Sequence, residues 1–216
     1  MAGSDDLILH LTAGLRPVKR LPPPLVRAFI WLSVVAAFSA AFVTEFGRIE
    51  TFIDRARDPK MALELIGTLA TGILGVIAAF ELSMPDRSLR WVLLPLPSFV
   101  LWLASSSYSC WRHWVATGPG PWVLGETTGC FAWIAGVGVP LAISLFVILR
   151  RSCPIDPGPV AAMAGLGVAS LAAFVLQFFH PFDVTVIDLG MHLAAVATVV
   201  ILARAAARPG LDGVRV

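Results

Sequence analysis

Between Arg27 and Glu45 the chain carries no charged side chain. A helix that crosses the hydrocarbon core of a bilayer takes about 20 apolar residues, and this run supplies them. Five more such runs follow. The pattern predicts spans over about Leu25–Phe46, Ala62–Met84, Trp91–Tyr108, Phe131–Leu149, Val160–Phe179 and Val184–Ala203. Backbone polar groups inside a bilayer must bond within their own segment, which makes the expected fold class all-α, a polytopic membrane protein of six helices. Composition agrees: 57% of residues are hydrophobic and 14% charged, against roughly 25% charged in a soluble domain. The spans leave no room for a second folded domain. Three parts are expected: a leading segment at 1–24, a transmembrane domain at 25–203 and a tail at 204–216. No cleavage site follows the charged start and more spans succeed it, so the first run reads as a retained span and not a signal peptide. Arg27, at its start, is expected to snorkel to the interface.

Orientation follows from Lys and Arg in the connecting segments. With the N-terminus inside, the inner segments hold Arg16, Lys19, Arg20, Arg27, Arg87, Arg90, Arg150, Arg151, Arg204, Arg208 and Arg215. The outer ones hold only Arg48, Arg55, Arg57, Lys60 and Arg112. Both termini are therefore expected in the cytoplasm of a bacterial inner membrane. Glu45, Glu50, Asp54 and Asp58 lie among the outer basic residues, which suggests a short, salt-bridged surface helix there.

The leading segment, SDDLILHLTAGLRPVKRLPPP from Ser4 to Pro24, is the one sizeable part able to meet a soluble partner. Ser4 suits an N-cap, and Asp5 and Asp6 suit the first turn, where the helix dipole favours negative charge. Leu7, Leu11, Leu15 and Val18 recur at helical spacing with Ile8 beside them, an amphipathic helix of about three turns. Arg16 ends it, because a residue before proline is pushed out of the α region. Such a helix is marginal alone in water and needs a surface or a partner. The Lys19–Arg20 pair equally suits a helix lying on the membrane. Pro22, Pro23 and Pro24 make a stiff elbow into the first span.

Within the spans, Gly67, Thr71, Gly75 and Ala79 repeat every four residues, and Gly165, Gly167 and Ser170 form a second small face; both predict close helix packing. Gly136, Gly138 and Pro140 suggest a bend or unwound turn. Intramembrane ionisable groups are functional candidates by default. Glu64, Glu81, Asp188 and His192 all fall near span ends, Glu81 with Arg87 and Arg90 close by. No charge sits mid-span and no inverted repeat is evident, which weakens an ion-coupled transporter using Glu64, Asp188 and His192. HExxH, GxSxG, P-loop and CxxC signatures are absent, so neither an enzyme nor a cofactor is expected. The net charge of +2 comes with no basic patch for nucleic acid.

Cys110 is expected to close the third span and Cys130 to open the fourth, across an outer loop rich in Trp (Trp111, Trp114, Trp122). There they form either a disulfide, a staple worth roughly 3 kcal/mol or an oxidant switch, or two separate thiols. Cys153 is expected on the inner side as a free thiol. His113, His180 and His192 share the outer side with the first two cysteines, but their spacing fits no metal motif.

The head, DDLILHLTAGLRPVKRLPPPL, followed by six spans, resembles the NrsF family of membrane anti-sigma factors. The resemblance is most specific at the acidic start and at Leu15, Pro17, Val18, Arg20, Leu21 and Pro24. It implies that the cytoplasmic N-terminal segment holds an extracytoplasmic-function sigma factor at the membrane. Oxidative or heavy-metal stress acting on periplasmic cysteines would release it. Carried over, Leu7, Ile8, Leu11, Leu15 and Val18 would be the face that the sigma factor buries. Asp5, Asp6, Arg16, Lys19 and Arg20 would orient it, with Pro17 and Leu21 completing the motif. Cys130 stands where one family cysteine is expected. The other is expected before a proline in the last outer loop, where this chain has His180 before Pro181. Cys110 as a substitute partner, a metal-responsive His180 and a different trigger all remain open. So do a small transporter and a structural assembly partner.

Overall fold

The computed structural model describes residues 3–13, 21–118, 124–179 and 186–207. Among them are eight α-helices: α1 (Ser4–Thr12), α2 (Pro24–Phe46), α3 (Ile49–Ala56), α4 (Pro59–Leu82), α5 (Leu96–Thr117), α6 (Leu124–Leu149), α7 (Pro157–Leu176) and α8 (Val186–Ala207). Six of these, all but α1 and α3, are long and apolar enough to cross a membrane. No strand occurs among the described residues.

Local chemistry sets where these helices begin. Pro24, Pro59 and Pro157 each occupy the first helical position, where a missing N–H costs nothing and φ is already helical. Ahead of two of them stands an aspartate cap: Asp58 accepts from the Lys60 N–H at 3.1 Å, and Asp156 from the Gly158 N–H at 3.1 Å. Two spans overrun their expected ends furthest. Helix α5 continues past Tyr108 to Thr117, and α6 begins at Leu124 instead of Phe131. Cys110 and Cys130 thus lie inside helices and not at the edges of a loop. Helix α6 also runs unbroken through Gly136, Gly138 and Pro140, so no turn is unwound there. The proline lacks the N–H that would bond the Gly136 carbonyl, and a membrane helix tolerates that loss.

The bundle is organised around α4 and α7, which pack along each other and are the most buried spans. Helix α8 lies on α7, α6 covers α7 and α8, and α5 and α2 cover α4. Apolar burial gives little drive between helices in lipid, so close backbone approach carries the packing. Both predicted small faces serve it. A Cβ on Gly75 would lie 2.9 Å from Gly167 Cα, and one on Gly167 would lie 2.8 Å from Val76 N. A Cβ on Gly67 would lie 2.8 Å from Trp102 N of α5, and one on Gly165 would lie 2.8 Å from Val200 Cα of α8. Gly167→Val is expected to force α4 and α7 apart and destabilise the bundle by about 1–3 kcal/mol, the usual cost of overpacking. Unfolding in a mixed-micelle denaturant titration measures it.

An even number of crossings brings the two ends of the spanning region to one face of the bundle, the head end. Helix α3 marks the opposite face, the α3 end. The expected outer surface helix is α3, held by the stacked rings of Phe52 and Phe178, 3.9 Å apart, and by the Arg48 N–H donating to the Phe178 carbonyl at 2.9 Å. One exposed ion pair, Arg57–Asp54 at 3.2 Å, accompanies it.

Candidate functional site

The head helix α1 is capped by Gly3 in an extended conformation, with no side-chain cap. Ser4 is therefore the first helical residue, not the cap. The Gly3 carbonyl accepts from the Asp6 N–H at 3.0 Å, which satisfies one of the free N–H groups of the first turn. The helix closes at Thr12, whose hydroxyl donates to the Ile8 carbonyl at 2.8 Å. It is thus shorter than the three turns expected. Residues 14–20 fall outside the described segments, and with them Leu15, Arg16, Pro17, Val18, Lys19 and Arg20 of the expected binding face. Asp6 is exposed.

Leu7, Ile8 and Leu11 share one face by their spacing of three and four. They are 58%, 57% and 65% exposed. Leu9 points the other way and is 67% exposed, an apolar residue that the periodicity argument passed over. Leu21, beyond the helix, is exposed too. An apolar helix of this kind is normally buried. Here the chain itself does not bury it.

Beneath the head, the first turn of α2 is locked to the end of α6. Arg27 is only 8% exposed, so it does not snorkel. It donates from Nη1 to Ser152 Oγ at 2.7 Å and from Nη2 to the Ile148 carbonyl at 3.0 Å. Its guanidinium also lies over the Phe80 ring, 5.2 Å from the centroid. Ser83 Oγ donates to the Phe80 carbonyl at 2.7 Å and approaches Ser152 Oγ at 3.2 Å, which joins α4 to the same knot. Buried Glu81 pairs with Arg87 at 3.0 Å, as their proximity in sequence led one to expect. Ile148 offers one of the carbonyls that a helix end leaves without a partner, and the planar fork of arginine reaches it and Ser152 together. We call this arrangement the Arg27 clamp. Sequence reading missed it because its hydrogen-bond partners, Ser152 and Ile148, lie 125 and 121 positions away.

At the α3 end the cysteines have different surroundings. Cys130 lies in the apolar core of α6, one turn before Trp133, which packs with Phe42 of α2 and with Phe179 (centroids 5.8 and 4.8 Å). Cys110 lies on α5 near the carboxylates of Glu64 and Asp188. Both are thiols, each 2% exposed, and α5 and α6 do not pack along each other. Cys153 is exposed at the head end and adopts a left-handed conformation, φ 48°. A bulky thiol reagent is expected to modify Cys153 rapidly in the folded protein and to leave Cys110 and Cys130 unmodified until it unfolds. Mass spectrometry of labelled peptides reads the order.

His180 and Pro181 lie outside the described residues. Glu64 and His192 face one small cavity, and the His192 Nδ1–H donates to the Asp188 carbonyl at 2.7 Å. No three His, Cys, Asp or Glu residues come together as metal ligands among the described residues.

Compared with protein families, the chain matches the one described as NrsF, negative regulator of sigma F, over residues 11–212. That match starts inside α1 and takes in every span. No curated protein and no solved structure matches the chain.

Proposed function

Because the chain belongs to the NrsF family, the negative regulators of sigma F, we propose that it is a membrane-bound anti-sigma factor. On this reading it holds an extracytoplasmic-function sigma factor against the cytoplasmic face of the inner membrane, and it performs no catalysis. The docking element is the head at 1–24. The observation that carries this reading is the exposure of Leu7, Ile8, Leu9 and Leu11 on a two-and-a-half-turn helix. A helix this short gains stability when a partner buries it. A groove that accepts anchors at spacings of three and four would take Leu7, Ile8 and Leu11, while Asp5, Asp6, Arg16, Lys19 and Arg20 set its direction. The excess of Arg at the head end supports a cytoplasmic head by the positive-inside rule.

Release begins at the α3 end, which is periplasmic on this reading. Helix α6 joins the two faces: Cys130 lies in its second turn, and its last turn holds Arg27 through Ile148. At 1.5 Å per residue its 26 residues make a strut of about 39 Å. Oxidative or heavy-metal stress that reaches Cys110, Cys130 or His180 tilts this strut, opens the clamp and frees the base of the head. Since both cysteines are buried, the bundle must open locally before either reacts.

The test is co-purification of the sigma factor with the full-length chain and with a chain lacking residues 1–24. The sigma factor should be lost from the truncated chain. Equal recovery with both chains would refute docking on the head. For the trigger, protein taken before and after oxidation is unfolded and then labelled at its thiols; oxidation should leave Cys110 and Cys130 protected together, and unchanged labelling would remove them from the switch.

A further inference from the structure

Helix α2 is tied to α6 toward both of its ends. Beyond the Arg27 clamp the Trp31 Nε1–H donates to Ser144 Oγ at 3.3 Å, and further along Phe42 packs on Trp133. On its other side, between α2 and the α4–α7 pair, an apolar groove of about 670 Å³ remains. Sites for small ligands span roughly 300–1,000 Å³. Leu69 and Ile73 of α4 and Leu171 of α7 line it opposite α2, and no charged side chain does. Leu171, at its floor, is 8% exposed, and Phe29, at its rim, is 71% exposed. All the lining residues but Phe178 belong to spanning helices, so in a bilayer the groove opens sideways into hydrocarbon.

The wall that α2 contributes is made of small residues. Ser33, Ala36, Ala40 and Thr44 recur along it at spacings of three and four. Gly75 and Gly167, in the middle of the bundle, close directly on a neighbouring backbone. The small face of α2 stands open instead, with Ala36 and Ala40 exposed. A gap of this size, left unfilled, forfeits dispersion contacts for every side chain around it.

Dimensions and charge together select the occupant. The lining residues of α2 run from Phe29 to Thr44, about 22 Å at 1.5 Å per residue. Over that length a volume of 670 Å³ averages about 30 Å² in section, a slot roughly 6 Å across. A helix with its side chains is about 10–12 Å wide and does not enter. An alkyl chain, whose carbons sit about 3.5–4.0 Å from the atoms they touch, does. Thr44 and Phe178 line the α3 end of the slot, where the Arg48 N–H donates to the Phe178 carbonyl at 2.9 Å. Arg48 is exposed and forms no ion pair with a described residue, and Glu45 and Glu50 on either side of it in sequence are exposed as well. A phosphate that carries an ammonium group matches a cation flanked by carboxylates.

We propose that this groove holds one acyl chain of a zwitterionic membrane phospholipid whose phosphate pairs with Arg48. The chain lies along Thr44, Ala40 and Ala36 and fills the space between α2 and the α4–α7 pair. Bulk lipid covers the outward faces of the spans, such as Ile143 and Val147 of α6, 59% and 52% exposed.

The full-length protein in phosphatidylcholine nanodiscs, doped with phosphatidylcholine that carries a diazirine midway along one chain, tests this without any sigma factor. Its outcome is therefore independent of the proposed function. After irradiation, Ala36, Ala40 and Ile73 should carry severalfold more label than Ile143 and Val147. Ala40→Phe puts a ring into the groove and should lose the groove label while keeping that on α6. Ala36→Leu narrows the same slot and serves should Ala40→Phe fail to fold. Arg48→Gln should lower the groove label and leave that on α6 unchanged. Equal label in the groove and on α6 would mean bulk lipid only and would overturn the proposal. So would a groove label indifferent to the filling substitutions or to Arg48→Gln, or a groove closed to label by a second copy of the chain in a dimer that Ala40→Phe dissociates.

Discussion

Replacing Leu7 and Leu11 with aspartate is expected to weaken sigma-factor binding by roughly 10²–10⁴-fold while the transmembrane bundle stays folded. Each leucine buried on binding contributes about 1.5–3 kcal/mol, and each 1.4 kcal/mol is about tenfold in affinity. New carboxylates in an apolar groove add a desolvation cost. Both side chains are already more than half exposed in the chain, so the bundle loses no packing and its unfolding transition should not move. Leu9→Asp, on the other side of the helix, is the matched control. Under groove docking it costs less than Leu11→Asp. Equal losses at Leu9 and Leu11 would mean that the helix is enclosed on all sides.

The second large effect is expected at Arg27. Arg27→Ala removes two hydrogen bonds from a charged donor, each worth about 1.5–3 kcal/mol, and a cation–π contact of about 0.5–2 kcal/mol. A loss of about 3.5 kcal/mol in bundle stability, the low end of that sum, follows, together with release of α2 from α6. On the proposed coupling this variant represses poorly even without stress, because the head's anchor is no longer tied to α6. Arg27→Lys keeps the charge but loses the fork and should fall between alanine and the wild type. Denaturant titration reads the stability, and a sigma-dependent reporter reads the repression. Full repression by a destabilised Arg27→Ala protein would separate the clamp from the switch.

The two predictions differ in how legible their residues are. Leu7, Ile8 and Leu11 announce themselves by spacing, and they are exposed on α1. The spans are equally plain, because an apolar run is a local property. The Asp58–Pro59 and Asp156–Pro157 pairs fix where α4 and α7 begin, ahead of the expected Ala62 and Val160. Helix ends were harder. Helix α5 carries Arg112 in its last turns, so hydropathy falls there while the backbone stays helical. Arg27 looked like an interfacial residue, since nothing nearby in sequence reveals that Ile148 and Ser152 wait for it. The polar cavity is hidden for the same reason, because Glu64 and His192 meet only through the packing of α4 and α8 on α7.

Hydrogen exchange of the full-length protein in nanodiscs, with and without its sigma factor, tests the central claim most directly. Helix α1 is short, exposed and capped by no side chain, so its amides should exchange quickly in the isolated protein. Sigma-factor binding should slow exchange across residues 4–12 and leave the interior of α4 and α7 unchanged. Unaltered exchange in residues 4–12, with new protection confined to another segment, would contradict the account.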